Sequence, residues 1–187
     1  MSSNFIHYLI SDPQYYGSTP KSISQKLNEV FKQHRVDFAC FRDKQSSDFE
    51  ILAQAFIDTC HQNNISKIIL NNELGVAIKL KAYGVHLTSQ QFHLIPKAKK
   101  AGLYTIISCH NEKEIQKAIE LNADTITYSP IFDTPNKGAA KGVTHLKAVC
   151  KKYDIDVIAL GGITNKNHVE MIQQSLAKGF ASIRYFV

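Results

Sequence analysis

Several features that define other protein classes are missing from this chain of 187 residues. Its four cysteines, Cys40, Cys60, Cys109 and Cys150, lie far apart and form no C-x-x-C pair. This spacing argues against a structural zinc site or a redox dithiol, and it is typical of reduced thiols in a cytoplasm. We therefore expect the protein to be cytoplasmic.

Long apolar segments are also missing. The start, MSSNFIHYLISD, has no basic region followed by a long apolar stretch, so no secretory signal peptide is predicted. No apolar run approaches the roughly 20 residues that a helix needs to span a bilayer, so we expect no membrane partner. No proline-rich or low-complexity linker divides the chain, and residues 1–187 are predicted to form one domain.

Acidic residues are fewer than basic ones, 16 against 22, which gives a formal net charge of +6. Two interpretations of this charge stay open: a solvated basic surface, or a partner rich in phosphate. Nucleic acid is disfavoured as that partner. Lys97, Lys99 and Lys100 lie in a helical stretch without interleaved aromatic residues, and no nucleic-acid-binding motif is present.

What the sequence does contain is a regular alternation of short β-rich runs with helical segments. The predicted strands cover residues 5–11, 37–43, 67–71, 84–87, 104–108, 125–129, 156–160 and 180–186. Several are continuous apolar runs, which is typical of strands covered on both faces. From the spacing of apolar residues, helices are predicted over residues 22–34, 48–64, 111–122 and 165–179.

Eight strands alternating with helices predict a parallel sheet, and eight units match the closed (β/α)₈ barrel, or TIM barrel. An open doubly wound sheet is the alternative, but no G-x-G-x-x-G sequence follows the first strand. The barrel would be compact. The sequence reaches Val187 directly after the predicted eighth strand, so we expect the C-terminal closing helix to be missing. Without that helix, one flank of the barrel would be exposed. Because a partner subunit could cover it, we predict a homo-oligomer.

In barrels of this kind, the active residues gather where the strands end. Cations are frequent there, and Arg42, Lys44, Lys137 and Arg184 would converge on one mouth. Because like charges brought together repel one another, we infer an anionic ligand. Gly161-Gly162 after the seventh strand would let backbone N–H groups approach a phosphate, although a plain tight turn is the alternative. Further polar residues at strand ends are Asn71, Asn72, Gln91, Ser108, Thr134 and Asn136.

Taken together and in order, several stretches resemble the thiamine phosphate synthase/TenI family of small (β/α)₈ barrels. They are YLISD (8–12), FRDK (41–44), ILNN (69–72), GVHL (84–87), ISCHN (107–111), YSPIFDTPNK (128–137) and ALGGIT (159–164). Several of these stretches are weak signals singly, but the resemblance covers nearly the whole chain.

The resemblance implies an enzyme that joins hydroxymethylpyrimidine diphosphate to thiazole phosphate, releasing diphosphate and yielding thiamine phosphate. The implied reaction is ionisation of the pyrimidine CH₂–O bond, followed by capture of the cation by the thiazole nitrogen. Such a reaction needs the leaving diphosphate to be stabilised by fixed cations and donors, usually with Mg²⁺.

The resemblance also implies roles for individual residues. The pyrimidine diphosphate would be held by the catalytic cations Arg42, Lys44 and Lys137 together with Asn71 and Ser108. The thiazole and its phosphate would be bound by Thr134, Asn136, Gly161, Gly162, Ile183 and Arg184.

Several positions depart from the family pattern: Cys40 replaces a glutamine, Ser129 a glycine and Arg184 a serine, and two further departures concern the metal. Where the synthases carry aspartates that are expected to bind Mg²⁺, this chain has Asn72 and Gln91. Mg²⁺ is usually held by one or two carboxylates plus phosphate. An amide oxygen is a poorer ligand and brings no charge, so Mg²⁺ at these two residues is a weak expectation.

Three interpretations follow from this departure. The protein is a synthase that binds Mg²⁺ mainly through diphosphate, with Glu73 or Asp43 supplying a carboxylate. Alternatively, it is a TenI-like thiazole tautomerase in which His86 or His110 replaces a histidine expected at the position of Pro130. In the third interpretation it is a non-catalytic binder of thiamine-pathway phosphates.

Overall fold

Eight parallel strands close into a barrel in the order of the sequence, and β1 pairs with both β2 and β8. The computed structural model describes residues 5–135 and 137–187. The strands are β1 (Ile6–Ile10), β2 (Phe38–Phe41), β3 (Ile68–Asn71), β4 (Gly84–Leu87), β5 (Tyr104–Cys109), β6 (Thr125–Tyr128), β7 (Asp156–Leu160) and β8 (Gly179–Ser182). This architecture confirms the predicted (β/α)₈ barrel.

Helices connect successive strands on the outside of the barrel. They are α1 (Pro13–Tyr16), α2 (Pro20–Gln33), α3 (Phe49–Gln62), α4 (Leu74–Lys79), α5 (Ile95–Lys100), α6 (Glu112–Glu120), α7 (Gly142–Lys152) and α8 (Lys166–Gln173). The four predicted helices correspond to α2, α3, α6 and α8. None of the helices in the described part of the chain is long and apolar enough to cross a membrane.

Alternate strand residues face the barrel interior and the surrounding helices. The inward-facing side chains Tyr8, Ile10, Phe38, Cys40, Ile69, Ile106, Ile158 and Ala181 form one buried cluster. A larger cluster lies between the strands and the helices and includes Leu9, Phe41, Leu70 and Ile107. The interior is therefore a packed core, and ligands are restricted to the ends of the barrel.

Aromatic side chains close the flank between β8 and β1. Directly after β8 the chain forms a 3₁₀ turn, Arg184–Phe186, that folds back over the outer face of the strand. The ring of Phe186 stacks on Phe180 with the centroids 5.8 Å apart, and Tyr185 meets Phe180 edge-on at 4.9 Å. His34, at the end of α2, contacts both Tyr185 and Phe186. These contacts leave Phe180 and Phe186 only 0% and 1% exposed.

This turn corrects two expectations. The predicted strand over residues 180–186 is too long, because β8 ends at Ser182. The expected open flank is wrong, because the turn covers it, although within residues 137–187 no α-helix follows β8, as predicted. A homo-oligomer stays a prediction, but an open flank no longer supports it.

We expect Phe186→Ala to lower the free energy of unfolding by about 3–5 kcal/mol, because it empties a fully packed aromatic site. The matched control is Val187→Ala. Val187 is 42% exposed, and we expect its truncation to change stability by no more than about 0.5 kcal/mol. Urea denaturation of both variants measures the difference. Equal stabilities would mean that the turn does not close the barrel.

Candidate functional site

An open cavity of about 600 Å³ lies at the carboxyl ends of the strands, and residues from all eight strands or their following loops line it. Its volume falls within the range of small-molecule sites. Ile10, Leu160, Ala181 and Ile183 supply its apolar surface. The remaining lining residues are mostly polar or charged, which gives the cavity an apolar part beneath a polar mouth.

The cavity brings together most of the residues selected from the sequence. Those that line it are Arg42, Lys44, Asn71, Ser108, Thr134, Lys137, Gly161, Gly162, Ile183 and Arg184. Asn136 lies outside the described residues. Asn72 and Gln91 lie within them, but neither lines the cavity. The ligand-binding roles of all these residues stay predictions.

Arg42 is held by a carboxylate that was not selected from the sequence. Its guanidinium Nη1 lies 2.6 Å from Oδ2 of Asp12, and both side chains are about three-quarters buried. Asp12 also accepts a hydrogen bond from the backbone N–H of Gln14 at the start of α1. The signal that could have found Asp12 is the strand register. Ile10 pairs with Cys40, so residues 12 and 42 leave β1 and β2 side by side.

Three other cations surround the mouth without an ion pair to any described residue: Lys44, Lys137 and Arg184. We call these three the cation cluster. The pKa of Lys44 is lowered first by the positive charge of Arg42, then by burial and by the charge of Lys137. Lys44 therefore lies near enough to Arg42 and Lys137 to be repelled by their charges. Since Asp12 compensates Arg42, the cation cluster supplies the uncompensated positive charge of the cavity.

A neutral histidine forms the floor. His86 is 3% exposed, with Nδ1 lying 3.1 Å from the hydroxyl of Tyr8. Its Nε2 lies 3.1 Å from the hydroxyl of Ser108 and 3.3 Å from that of Thr127. Burial, and secondarily the charge of Arg42, lowers the pKa of His86 to about 4. The imidazole is therefore neutral near pH 7, and it orients the Ser108 hydroxyl at the base of the cavity.

The two glycines after β7 are needed for close packing between loops. Both have positive φ, +98° at Gly161 and +71° at Gly162. A Cβ at Gly162 would lie 2.6 Å from the carbonyl oxygens of Phe132 and Asp133. The backbone N–H of Phe132 in turn donates to the carbonyl of Gly161 at 3.0 Å. The glycines thus let the β6–α7 loop, which carries Lys137, dock against the end of β7.

Of the two histidines considered as bases, His110 has the freer ring. It lines the cavity at the end of β5, and its Nδ1 lies 3.2 Å from the hydroxyl and 3.3 Å from the carbonyl oxygen of Ser129. Its Nε2 makes no hydrogen bond to the described residues. Both ring nitrogens of His86, in contrast, lie within hydrogen-bond distance of buried hydroxyls.

Of the two amides that replace expected metal ligands, Gln91 is hydrogen-bonded to neighbouring loops through its side chain, and Asn72 through its backbone carbonyl. The Gln91 amide nitrogen donates to the carbonyl of Asn72 at 3.2 Å, and its oxygen accepts from the backbone N–H of Thr88 at 3.1 Å. Asn72 has a positive φ of 65°. Its side-chain oxygen is buried and lacks a hydrogen-bond partner among the described residues. One neutral oxygen of this kind suits a water molecule better than a dication.

Carboxylates do not compensate for these amides. Among the described residues, Asp12 supplies the only carboxylate lining the cavity, and Arg42 already binds it. Asp43 accepts hydrogen bonds from Gln45 and Ser46 in its own turn, and Glu73 is exposed at the start of α4, so neither faces the cavity. No group of three or more His, Cys, Asp or Glu side chains in the described residues could hold a metal ion. The residues present therefore do not fit a carboxylate-held Mg²⁺.

Comparison with known proteins points to one family. A sequence model described as thiamine monophosphate synthase (TMP-TENI) matches residues 7–186. The chain is 35% identical over 141 residues to a thiamine-phosphate synthase of Latilactobacillus sakei, which covers 72% of this chain and 61% of that protein, less than two thirds of its length. It is 29% identical over 184 residues to the putative thiamine-phosphate synthase 2 of Aquifex aeolicus, which covers 96% of each chain.

A solved structure agrees in fold. The thiamine phosphate pyrophosphorylase from Pyrococcus furiosus superimposes with a TM-score of 0.80 at 18% sequence identity, covering 96% of this chain and 86% of that one. At this identity the similarity supports the barrel architecture alone.

The buried His86 predicts a loss of stability in mild acid. Its pKa is about 4 in the folded protein against an ordinary value of 6.5. Between these two values the side chain is protonated in the unfolded chain and neutral in the folded protein. The effect of this pKa difference on the free energy of unfolding is absent above pH 6.5, where His86 is neutral in both states and the protein keeps its full stability. As the pH falls towards about 4, we expect the free energy of unfolding to decrease by about 3 kcal/mol. Urea denaturation at several pH values measures this slope.

His86→Gln is the matched control for that slope. The variant lacks the titrating ring, so the pH dependence of its unfolding free energy should be smaller by one proton in this range. Equal slopes in the two proteins would contradict a depressed pKa at His86.

Proposed function

Because the chain belongs to the thiamine monophosphate synthase family, we propose that it is a thiamine-phosphate synthase. It would couple hydroxymethylpyrimidine diphosphate to thiazole phosphate and release diphosphate. The observation that carries this proposal is the cation cluster of Lys44, Lys137 and Arg184 around one cavity, where Asp12 compensates only Arg42. Uncompensated cations at the mouth of a cavity that also has apolar wall residues favour a ring-shaped ligand that bears phosphate groups.

In the proposed reaction, the CH₂–O bond of the pyrimidine diphosphate breaks, and its electron pair leaves with the diphosphate. The lone pair of the thiazole nitrogen then forms the new C–N bond to the pyrimidine methylene. No side chain has to take up or donate a proton in either step. The barrier depends instead on how well fixed positive charges stabilise the departing diphosphate.

Our assignment of residues follows from that requirement. Arg42, Lys44 and Lys137 stabilise the leaving diphosphate, and the salt bridge to Asp12 keeps the Arg42 guanidinium in one orientation. Asn71 and Ser108 contact the pyrimidine diphosphate. The side-chain amide of Asn71 already donates to the carbonyl of His86 at 3.1 Å, and the Ser108 hydroxyl contacts the His86 ring. Both donors are therefore pre-oriented.

The thiazole phosphate would occupy the other side of the mouth. Gly161 and Gly162 bring the backbone after β7 to the cavity surface, and Ile183-Arg184 follows β8 on the neighbouring strand. Backbone N–H groups and the Arg184 guanidinium would bind the phosphate. The thiazole itself would lie beside Thr134, whose hydroxyl donates to the carbonyl of Phe132 at 2.9 Å.

A thiazole tautomerase is the second candidate, and the position of His110 favours it. Its Nε2, which has no partner among the described residues, could move a proton at the cavity edge, whereas both ring nitrogens of the buried His86 contact hydroxyl groups. A non-catalytic binder would use the same cation cluster without turnover.

The decisive experiment mixes the purified protein with both phosphorylated precursors and measures thiamine phosphate. Formation of the product supports the synthase. Isomerisation of a thiazole phosphate carboxylate that requires His110 would favour the tautomerase. If calorimetry detects binding of either phosphate but neither reaction occurs, the protein is a binder.

We expect Lys137→Ala to lower the rate of thiamine phosphate formation by about 100-fold or more, because a cation that stabilises the leaving group is removed. Lys147→Ala is the matched control. It removes the same charge from an exposed position on α7 that does not line the cavity, and its rate should stay within about twofold of wild type. Equal rates for the two variants would contradict the assigned role of Lys137.

A further inference from the structure

We propose that this cavity binds diphosphate through its own cations Arg42, Lys44 and Lys137, without a divalent metal ion held by the protein. This inference rests on the proposed function, since it concerns the diphosphate subsite of the same cavity. It rests on three observations: the charge balance of the mouth, the absence of an available carboxylate in the described cavity wall, and the position of Asn72 and Gln91 outside that wall.

The charge balance already suits the anion. A diphosphate ester carries roughly two to three negative charges near neutral pH. Arg42, Lys44 and Lys137 supply this charge, and of these three only Arg42 forms an ion pair with a described residue. Arg184 lines a second, shallow depression together with Lys137, so its positive charge also lies beside this subsite.

A protein-bound dication would make the mouth less stable in the absence of ligand. Mg²⁺ would add two positive charges to a site where Arg42 and Lys137 already repel Lys44. The carboxylate of Asp12 could bind it only by releasing Arg42, from which it lies 2.6 Å, and that release would add a further uncompensated charge. Protein cations and Mg²⁺ therefore compete to balance the same anion.

The Gln91 amide cannot easily be recruited as a ligand. A Gln91 side chain turned towards the mouth would lose its bonds to the carbonyl of Asn72 and the N–H of Thr88. Breaking these bonds would leave backbone groups in partly buried surroundings without partners. In this structure the Gln91 side chain joins the β3–α4 loop to the β4–α5 loop. The Asn72 side-chain oxygen has no partner among the described residues, but it is a single neutral oxygen outside the cavity wall.

The test is calorimetric titration of the full chain with inorganic diphosphate, first in EDTA after metal removal and then in millimolar Mg²⁺. The anion concentration is corrected for its complex with Mg²⁺ in solution. We expect the two dissociation constants to agree within about threefold, because the protein supplies the balancing charge. Lys44→Ala and Lys137→Ala should each weaken binding by about tenfold in EDTA, and Lys147→Ala should leave it unchanged.

Two outcomes would overturn the inference. Binding that is at least about tenfold tighter in Mg²⁺ would mean that a metal ion completes the site. Failure of diphosphate to bind in either condition would mean that Arg42, Lys44 and Lys137 do not form an anion site.

Product formation separates this inference from the proposed function. Diphosphate binding in EDTA without any thiamine phosphate formation would contradict the synthase proposal and support the metal-free anion site. Thiamine phosphate formation that stops when Mg²⁺ is removed would support the synthase and overturn the metal-free site. Asn72→Asp combined with Gln91→Asp should not create a requirement for Mg²⁺, since neither side chain lines the cavity.

Discussion

The pairing of β8 with β1 is the constraint on which the rest of the structure depends. Four residue pairs, from Ile6 with Gly179 to Leu9 with Ser182, join the last strand to the first and turn an open sheet into a ring. Closure brings the carboxyl ends of all the strands to one rim, so that residues far apart in sequence line one cavity. The aromatic packing of Phe180 and Phe186 protects this seam from water on its outer side. The site therefore depends on contacts made far from any ligand.

Much of the fold and the general position of the site could be predicted from the sequence. Apolar runs bounded by polar residues located the strands, because buried parallel strands display their hydrophobicity without interruption. The rule that loops after barrel strands carry the chemistry then selected Arg42, Lys44 and Lys137, all of which line the cavity. Short elements were harder to find. α1 and α4 span only four and six residues, too few to display a helical period.

Other features depend on strand register and side-chain packing, which could not be predicted from the sequence. The partnership of Asp12 with Arg42 follows from the pairing of Ile10 with Cys40, and no local pattern encodes that pairing. The glycines after β7 suggested an approach to phosphate, yet the atoms that a Cβ at Gly162 would strike belong to the β6–α7 loop. A strand is predicted through Tyr185 and Phe186 because aromatic residues favour strands. The contacts of these two residues with Phe180 override that preference.

Because His86 is neutral, the charge of the cavity differs between its rim and its floor. Positive charge is confined to the rim, whereas the base presents an uncharged imidazole and the hydroxyls of Ser108 and Thr127. In the proposed site, a molecule with an anionic end and an uncharged ring would be favoured with its anionic end at the rim and its ring over the floor. A molecule charged at both ends would have to bury one charge against groups that cannot neutralise it, at a high desolvation cost. Such a site would discriminate between ligands by the distribution of charge along their length as well as by total charge.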